Sequence, residues 1–460
     1  MDIDTIAAVA TPPGEGGIGI IRLSGKKSLE IADAIFKGAS EKPLSGLEER
    51  RLNYGHIVNP KDRRAVDEVM AVYMKEPKTY TKEDVVEIHC HGGAISVRRI
   101  LELVLLEGAR LAEKGEFTKR AFLNGRIDLS QAEAVIDLIK AKTDANFDMS
   151  LNQLEGSMTL KVRELQNELL SMLAHIEASI DFPDQDVEEI TSEELKKTAK
   201  HVYEEIDKLI ATSNTGRIIK EGVKTVILGK PNVGKSSLMN ALLRENRAIV
   251  TDIPGTTRDI IEEYVNINGI PLRIVDTAGI RETDDLVEKI GVERAKEMLR
   301  DADLAIVVFD CSKELEQEDI EIISLVKDKP AIVLFNKTDL DSKLREEDVS
   351  NMLKDKYIIT TSMLEGKGID KLEEKLKEMF LSSEVEIGED PIVTNTRQRD
   401  LLIKAKENVQ DALDALNMEM PVDCIEVDIK GCWENLGFIT GDSIGEDIID
   451  KIFKNFCIGK

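Results

Sequence analysis

The stretch GKPNVGKS occupies residues 229–236 and directly follows a short apolar run, TVIL at residues 225–228. It matches the GxxxxGKS/T pattern, in which glycines let the backbone fold around an oligophosphate so that several N–H groups point at it. A helix that begins near Gly234 would add the positive end of its dipole. We expect Lys235 to reach the outer phosphates and the Ser236 hydroxyl to ligate Mg²⁺. The stretch therefore predicts a strand, loop and helix that bind a nucleoside triphosphate.

Two further segments have the character of nucleotide switches. The run LRIV at residues 272–275 leads into DTAG at residues 276–279, where the Asp can hold Mg²⁺ through water and the Gly amide can face a γ-phosphate. Upstream lies TDIPGTTRD at residues 251–259, in which we expect Thr257 to complete the Mg²⁺ shell. Signalling GTPases place a water-orienting glutamine directly after the DTAG motif, but Ile280 stands there. Because isoleucine cannot polarise water, hydrolysis is either very slow or uses another group.

A base-reading loop follows at NKTD, residues 336–339, after the apolar run AIVLF. The Asp339 carboxylate can accept two hydrogen bonds from guanine, which adenine cannot donate, and such polar sites discriminate on the order of ten-thousand-fold. The run at residues 357–361 leads into SML, residues 362–364, where a loop is expected to close over the base. The residues expected to bind GTP are Asn232, Val233, Gly234, Lys235, Ser236, Ser237, Thr251, Asp252, Ile253, Pro254, Gly255, Thr256, Thr257, Asp276, Thr277, Ala278, Gly279, Asn336, Lys337, Asp339, Ser362, Met363 and Leu364.

The chain has 460 residues, too many for one hydrophobic core, so two or three domains are expected. Its formal net charge is −26, from 62 lysines and arginines against 88 aspartates and glutamates. This charge argues against broad, non-specific binding of nucleic acid, because phosphate neutralisation normally supplies much of that affinity. An RNA could still be bound through a local basic surface or a more basic partner.

We expect a cytoplasmic protein without a membrane span. No run of about eighteen apolar residues occurs, and the start MDIDT lacks the basic and apolar regions of a signal peptide. The five cysteines are scattered without paired spacing, which suits a reducing compartment: Cys90, Cys311, Cys424, Cys432 and Cys457.

The order of patterns predicts a multidomain α/β plus α fold. Short strand-like runs make up a small N-terminal α/β domain, and helical spacing of apolar residues follows from residue 129 to residue 180 and again from 192 to about 217. Helical patterns return after the nucleotide domain, at residues 395–417 and 445–456. We favour one helical domain interrupted by the GTPase over two separate helical tails, because both flanks carry apolar stripes that need a partner. The expected domain ranges are 1–119, 120–220, 221–381 and 382–460.

Several stretches together resemble the tRNA-modifying GTPase family MnmE, also called TrmE, over essentially the full length: GKPNVGKSS, TDIPGTTRD, DTAGIRETDDLVEKIGVERA and FCIGK. The resemblance implies an N-terminal folate-binding domain, a discontinuous helical domain and an inserted Ras-like P-loop GTPase domain. It also implies a homodimer that forms a heterotetramer with MnmG (GidA), a partner that uses FAD and NADH. The activity so implied is installation of a (carboxymethyl)aminomethyl group on carbon 5 of the wobble uridine of certain tRNAs.

The resemblance further implies roles for residues of the GTPase domain. A potassium ion would be held by Asn232 and by backbone oxygens of Thr251, Ile253 and Thr256, where it stabilises developing phosphate charge. Glu288 would position the attacking water, although the sequence alone gives it no privilege over its acidic neighbours. Two GTPase domains of the homodimer would meet across their nucleotide faces when GTP and potassium are bound, which ties hydrolysis to domain movement. The alternative interpretation of Asn232, a turn residue in a glycine-rich loop, is disfavoured.

At the two ends of the chain, the resemblance implies a folate site. Arg22, Glu87 and Arg126 match positions that bind a tetrahydrofolate one-carbon derivative, in its 5-formyl or 5,10-methylene form, although some relatives have lysine at Arg126. Lys460 would lie close to the folate, and Cys457 would be needed for modification. Without the resemblance, a surface ion pair is the favoured interpretation of these arginines and this glutamate.

Two details depart from simple expectations. Phe438 stands where relatives commonly have an acidic residue, which puts a local helix contact in doubt. A zinc site at His89, Cys90 and His91 is disfavoured, because neighbouring residues of a strand point to opposite faces and no second ligand cluster is visible.

The competing functional class is a GTP-switched ribosome-assembly factor that modifies nothing. Such a protein would be expected to append a compact basic RNA-binding module, whereas this chain appends acidic helices and a cysteine-containing tail. A signalling switch is disfavoured by Ile280 and by the additional domains.

Overall fold

The computed structural model describes residues 4–39, 41–181, 192–245, 263–267, 269–274, 299–345, 349, 352–353, 356–380, 390–442, 444–454 and 456–460. The chain forms two compact units, and the described strands of each unit form one sheet. The first unit comprises Met1–Ile136, Gln153–Leu195 and Asp414–Lys460, and the second comprises Asp137–Asn152 and Lys196–Leu413.

The strands of the described ranges are β1 (Ile6–Val9), β2 (Gly19–Ser24), β3 (Phe36–Gly38), β4 (Asn53–Val58), β5 (Ala65–Met74), β6 (Val85–Cys90), β7 (Arg110–Leu111), β8 (Val223–Leu228), β9 (Glu263–Ile267), β10 (Ile270–Ile274), β11 (Leu304–Asp310), β12 (Ala331–Asn336) and β13 (Tyr357–Thr360). The α-helices of the same ranges are α1 (Ser28–Ile35), α2 (Ala94–Leu106), α3 (Glu116–Leu123), α4 (Leu129–Lys140), α5 (Asp144–Glu155), α6 (Ser157–Asp181), α7 (Ser192–Glu221), α8 (Lys235–Glu245), α9 (Gln317–Val326), α10 (Ile369–Phe380), α11 (Thr396–Asn417), α12 (Val422–Thr440) and α13 (Glu446–Phe453).

The first unit contains a mixed sheet in the order β3-β4-β5-β6-β2-β1-β7 over its described strands. Along β2, successive side chains alternate between the two faces of the sheet. Ile21 and Leu23 are fully buried in a core that α1 and α2 complete, while Arg22 between them lies on the other face. The antiparallel register of β2 and β6 sets Arg22 opposite Glu87. The sheet therefore brings together two residues that are far apart in sequence.

The second unit contains a sheet in the order β13-β12-β11-β8-β10-β9 over its described strands. Its strands pair in parallel except β9, which is antiparallel to β10. Ile306 and Val308 of β11 pack with α8 and α10 on one face, whereas Val307 and Phe309 pack with α9 on the other. Burial on both faces explains the continuous apolar runs of these strands. In such a sheet, loops at the carboxyl ends of the strands form the ligand site.

Helices from both sides of the GTPase segment pack against one another. In the first unit α6 lies along α12, where Gln166 Nε2 donates to the Trp433 carbonyl at 3.2 Å. In the second unit the Val393 amide donates to Thr212 Oγ1 of α7 at 3.0 Å, and Lys406 of α11 pairs with Asp207 of α7 at 2.5 Å. The prediction of a helical domain interrupted by the GTPase is therefore confirmed.

The structure divides the helices more finely than the pattern predicts. The expected helical run from residue 129 to residue 180 is three helices, α4, α5 and α6. Helix α12 is not predicted at all, because Gly431 and Gly437 are weak helix formers that obscure the repeat of buried Ile425, Ile429 and Leu436. Tertiary packing on α6 outweighs that weak local preference.

Among the described residues, none of the helices combines the length and the apolar character needed to cross a membrane.

Candidate functional site

The phosphate loop connects β8 to α8 at the carboxyl edge of the second sheet. Gly234 has φ +110°, and a Cβ atom there would lie 2.2 Å from Asn336 Nδ2, so the loop requires glycine. Asn232 also adopts a left-handed conformation, with φ +62°, which asparagine tolerates better than most residues. Its side chain is exposed. The loop thus has the compact shape that the sequence pattern predicts.

Lys235 is held over this loop by two carbonyl groups. Its Nζ donates to the Gly229 oxygen at 2.6 Å and to the Lys230 oxygen at 2.7 Å. Burial lowers the pKa of Lys235. Ser236 and Ser237 follow in the first turn of α8 and are exposed. An anion placed against the loop would therefore meet one ammonium group and two hydroxyl groups.

Asn336 links three loops at the end of β12. The buried side chain donates from Nδ2 to the Val233 carbonyl at 2.8 Å, and its Oδ1 accepts from the Met363 amide at 3.2 Å. The exposed Asp339 accepts from Ser362 Oγ at 2.6 Å, and Leu364 is 86% exposed. The phosphate loop, the NKTD loop and the SML loop therefore lie together, as a nucleotide site requires.

Asp310 is a residue of this site that sequence reasoning missed. Lys337, which has φ +66°, donates from Nζ to Asp310 Oδ2 at 2.6 Å. Burial alone would raise the pKa of Asp310, but hydrogen bonds from Lys337 and Ser312 hold it below its ordinary value. The available signal was its position at the end of β11, directly beside Asn336 in the parallel register.

The predicted switch residues lie outside the described ranges: Thr251, Asp252, Ile253, Pro254, Gly255, Thr256, Thr257, Asp276, Thr277, Ala278, Gly279, Ile280 and Glu288.

A second polar site lies on the sheet of the first unit. Arg22 Nε donates to Glu87 Oε1 at 2.7 Å, and their side chains are 20% and 18% exposed. His89 Nε2 lies 3.4 Å from Glu87 Oε2, on the same strand. The Arg22 guanidinium also stands 5.8 Å from the centre of the Phe117 ring of α3. This pair is half-buried and can still present polar atoms to a ligand.

The segment of residues 456–460, the tail, completes this second site. Gly459 has φ +93°, a Cβ there would lie 2.2 Å from the Val9 carbonyl, and its own carbonyl lies 3.4 Å from Arg22 Nη1. Burial lowers the pKa of Lys460 and the Arg22 charge lowers it further, whereas the charges of Cys457 and Glu87 act in the opposite direction. Cys457 is exposed, and its carbonyl accepts from the Gly115 amide at 3.2 Å. The tail thus brings a thiol and an amine to the vicinity of Arg22 and Glu87.

Arg126 lies on a neighbouring surface and is exposed. Its guanidinium stands 4.7 Å from the centre of the Tyr80 ring, and Nη1 lies 3.4 Å from the Tyr80 carbonyl. Tyr80 packs against the small apolar cluster that contains Phe117, the same ring that faces Arg22. The described contacts therefore relate Arg126 to the Arg22 pair only through this cluster.

The histidine and cysteine residues at the end of β6 lie in different surroundings. Cys90 is buried, and His91 Nδ1 pairs with Asp67 Oδ1 at 2.6 Å. Within the described ranges, no group of three or more His, Cys, Asp or Glu residues has a geometry that could hold a metal ion.

Comparisons with known proteins address the whole chain. Among solved structures, the G domain of the T. maritima FeoB iron transporter is 27% identical and covers 34% of this chain and 97% of that chain, with a TM-score of 0.26. A family model described as the GTP-binding protein TrmE N-terminus matches residues 5–126, and one described as the MnmE helical domain matches residues 129–457. Proteins named tRNA modification GTPase MnmE from Alkaliphilus oremlandii and Clostridioides difficile are 56% and 55% identical over 457 residues, 99% of each chain. The protein of that name from Bacillus subtilis is 52% identical over 459 residues, 100% of both chains. On the two family models and these full-length relatives, the chain belongs to the MnmE family of tRNA modification GTPases.

Proposed function

We propose that this GTPase is potassium-dependent and acts as a homodimer with the FAD- and NADH-using partner MnmG. Together they would install a (carboxymethyl)aminomethyl group on carbon 5 of the wobble uridine in certain cytoplasmic tRNAs, with a tetrahydrofolate one-carbon unit. The observation that carries the proposal is the second polar site, where the tail meets Arg22 and Glu87. A GTPase that acts only as a regulatory switch would not need a thiol and an amine beside a half-buried ion pair. The proposed domains are residues 1–119 for folate, 120–220 and 382–460 for the helical domain, and 221–381 for GTP.

At the nucleotide site, Lys235 binds the outer phosphates, and Asn336 and Asp339 bind guanine. The exposed Asp339 carboxylate is free to accept from the base because a single hydroxyl, from Ser362, occupies its Oδ1 at 2.6 Å. Ser236 and Thr257 supply oxygen ligands for Mg²⁺, which neutralises phosphate charge when bound. Their hydroxyl groups fit a hard cation that prefers oxygen.

Potassium dependence is proposed from the family resemblance, and the described part of the loop is consistent with it. Asn232 offers an exposed amide oxygen on a left-handed turn beside the phosphate path, and Thr251, Ile253 and Thr256 would add backbone oxygens. A monovalent cation there would supply positive charge to the transition state. Ile280 cannot orient water, and the family resemblance assigns that role to Glu288.

At the folate site, the Glu87 carboxylate would read the paired N–H donors of a pterin, and arginines would bind the carboxylates of its glutamate tail. Arg22 orients Glu87 through their 2.7 Å contact, and Lys460 lies near both charges, while Arg126 would act from the neighbouring surface where it faces Tyr80. Folate supplies the one-carbon unit when bound. Cys457 is exposed beside it and takes part in the modification.

The net charge of −26 supports the proposal that the partner makes much of the contact with tRNA. Because a strongly acidic protein repels polyanions, MnmG contributes much of the contact with tRNA. Equal tRNA affinity of the isolated protein and of the complex would contradict this point.

Two measurements test the proposal. GTP turnover of the full chain is compared in KCl and NaCl at equal ionic strength, and we expect much faster turnover in KCl. Equal rates would remove the potassium mechanism. Mass spectrometry of wobble uridines from a deletion strain separates the modifying enzyme from an assembly factor, since only loss of the modified base supports the enzyme.

A further inference from the structure

Lys230, the second residue of the phosphate loop, is anchored outside the nucleotide site. Its Nζ lies 2.6 Å from Asp319 Oδ2 and 2.9 Å from Glu316 Oε2. The Lys230 side chain is 11% exposed and that of Asp319 is 6% exposed. The pair is therefore shielded from water, unlike the surface ion pairs that contribute little.

The carboxylate that receives Lys230 is itself fixed at the start of α9. Asp319 Oδ2 also accepts from the Glu316 amide at 3.0 Å, and the Asp319 amide donates to the Glu316 carbonyl at 3.0 Å. Burial alone would lower the pKa of Lys230, but hydrogen bonds to Asp319 and Glu316 raise it above its ordinary value. Lys230 is thus a charged side chain held by a rigid helix end.

The backbone of the same residue holds the phosphate-binding lysine. The Lys230 carbonyl accepts from Lys235 Nζ at 2.7 Å. The side chain and the carbonyl of Lys230 therefore connect α9 to the ammonium group that meets the outer phosphates. The base-reading loop has a separate anchor, the pair of Lys337 with Asp310 at 2.6 Å.

We propose that Lys230 is a positioning residue for GTP binding: by fixing the phosphate loop to Asp319 and Glu316, it sets the place of Lys235. The role concerns the phosphates: the described contacts of Lys230 are to α9 and Lys235, whereas the base-reading loop is held by Lys337 with Asp310 and by Asn336 with the Val233 carbonyl. It goes beyond the proposed potassium and folate chemistry and needs only the GTPase activity of the family.

The test compares full-length Lys230→Ala, Lys230→Arg and Asp319→Asn with the matched control Glu318→Gln, whose side chain is exposed in the same helical turn. Kd for GTP and ITP is measured by titration, and kcat and KM by phosphate release. For Lys230→Ala we expect Kd for GTP to rise about tenfold, since small misplacements of positioned groups cost one to two orders of magnitude. The ratio of Kd values for ITP and GTP should stay within about twofold, because the described contacts of Lys230 do not include the residues that bind the base.

The conservative and double variants decide between positioning and folding. Lys230→Arg keeps the charge and should retain near wild-type affinity, and Glu318→Gln should match the wild type. A double variant of Lys230→Ala with Asp319→Asn should lose no more affinity than the larger single loss, because the two residues act as one contact. A purely structural role would lower the number of binding sites and the Tm while leaving Kd unchanged. Wild-type Kd in Lys230→Ala, or additive losses in the double variant, would overturn the proposal.

Discussion

The nucleotide site and the second polar site of this protein are built in opposite ways. At the nucleotide site, short contiguous stretches form loops at the ends of neighbouring parallel strands, and backbone carbonyls of one loop hold Lys235. At the second site, side chains from β2 and β6 meet a tail that is 437 residues away from Arg22 along the chain. The first design is visible in a short stretch of sequence, whereas the second exists only once the sheet is assembled.

The two sites also differ in which substitutions they tolerate. Backbone-built loops depend on a few residues of fixed conformation, such as Gly234, and on one lysine. The second site depends on the partnership of Arg22 with Glu87 and on the tail that reaches them. If the two sites are independent in binding, substitutions at one should leave the other unchanged.

The largest expected effect is at Lys235. Lys235→Ala removes the ammonium group from the phosphate loop, so kcat/KM for GTP should fall about 10³-fold, as loss of a strong charge-stabilising donor does. Arg22→Ala, in the other unit, should stay within about twofold of the wild type on the same phosphate-release assay. Similar losses of kcat/KM in both variants would contradict the independence of the two sites.

Asp339 should control which base is accepted. In Asp339→Asn an amide replaces one acceptor with a donor, which suits the 2-oxo group of xanthine better than the amino group of guanine. We expect the preference for GTP over XTP to change by about 10²-fold, as a buried polar mismatch does. Titration with both nucleotides measures the ratio, and Asp341→Asn is the control because Asp341 is exposed on the same loop. An unchanged ratio would remove Asp339 from base recognition.

Glu87→Gln should weaken ligand binding at the second site and leave GTP hydrolysis unchanged. The substitution removes a charge-assisted acceptor, so affinity for 5-formyltetrahydrofolate should fall about 10- to 100-fold, the equivalent of one strong charged hydrogen bond. Calorimetry gives the folate affinity, and GTP turnover of the same variant should equal that of the wild type. Glu68→Gln, at an exposed position on the neighbouring strand, is the matched control. A loss of GTPase activity in Glu87→Gln would contradict independence.

Gly459→Ala should loosen the tail. The new methyl group would lie 2.2 Å from the Val9 carbonyl, on a backbone with φ +93°, so the segment must move. We expect faster digestion of the tail by carboxypeptidase and folate affinity reduced about threefold to tenfold, with Tm within about 2 °C because few buried groups are involved. Gly445→Ala serves as control, since a Cβ there has no neighbour within 4 Å. Equal digestion of both variants would show that the tail is held elsewhere.

The smallest effect concerns the titration of Lys460. Because burial and the Arg22 charge lower its pKa, acylation of the amine should reach half its plateau rate below the ordinary lysine value of about 10.4. Arg22→Ala removes a neighbouring positive charge and should raise that midpoint, whereas Glu87→Gln removes a negative charge and should lower it. Peptide mass spectrometry follows the reaction, with exposed Lys454 as an internal reference. A shift of the same sign in both variants would contradict the arrangement.

Much of the GTPase fold could be predicted from sequence because its strands are short apolar runs punctuated by motifs. The strands at residues 223–228 and 331–336 and the helix that begins at Lys235 follow directly from that pattern. Helix α12 escaped prediction because its glycines weaken the local preference, and its stability comes from α6. The inserted position of the GTPase domain was predicted from unpaired apolar stripes and is confirmed.

The site residues likewise fall into those that could be assigned from a sequence motif and those that could not. Asn336 and Lys235 could be assigned by motif, yet Asp310 and Asp319, which hold the neighbouring lysines, could not. Their partners are 27 residues or more away in sequence, and only the strand order brings them together. The pairing of Arg22 with Glu87 likewise depends on the β2–β6 register, so sequence alone left it indistinguishable from a surface ion pair. The roles of these residues in folate binding stay predictions.

The distance between Arg22 and the tail has a consequence for biosynthesis. Arg22 is synthesised early, and Gly459 follows 437 residues later. At ordinary bacterial elongation rates that interval is about 20 to 90 s. In the part of it that follows the synthesis of β7, a nascent chain can present a folded sheet whose second site still lacks the tail. A protein truncated upstream of the tail would keep the described nucleotide loops but would lack the contact of Gly459 with Arg22 at the second site.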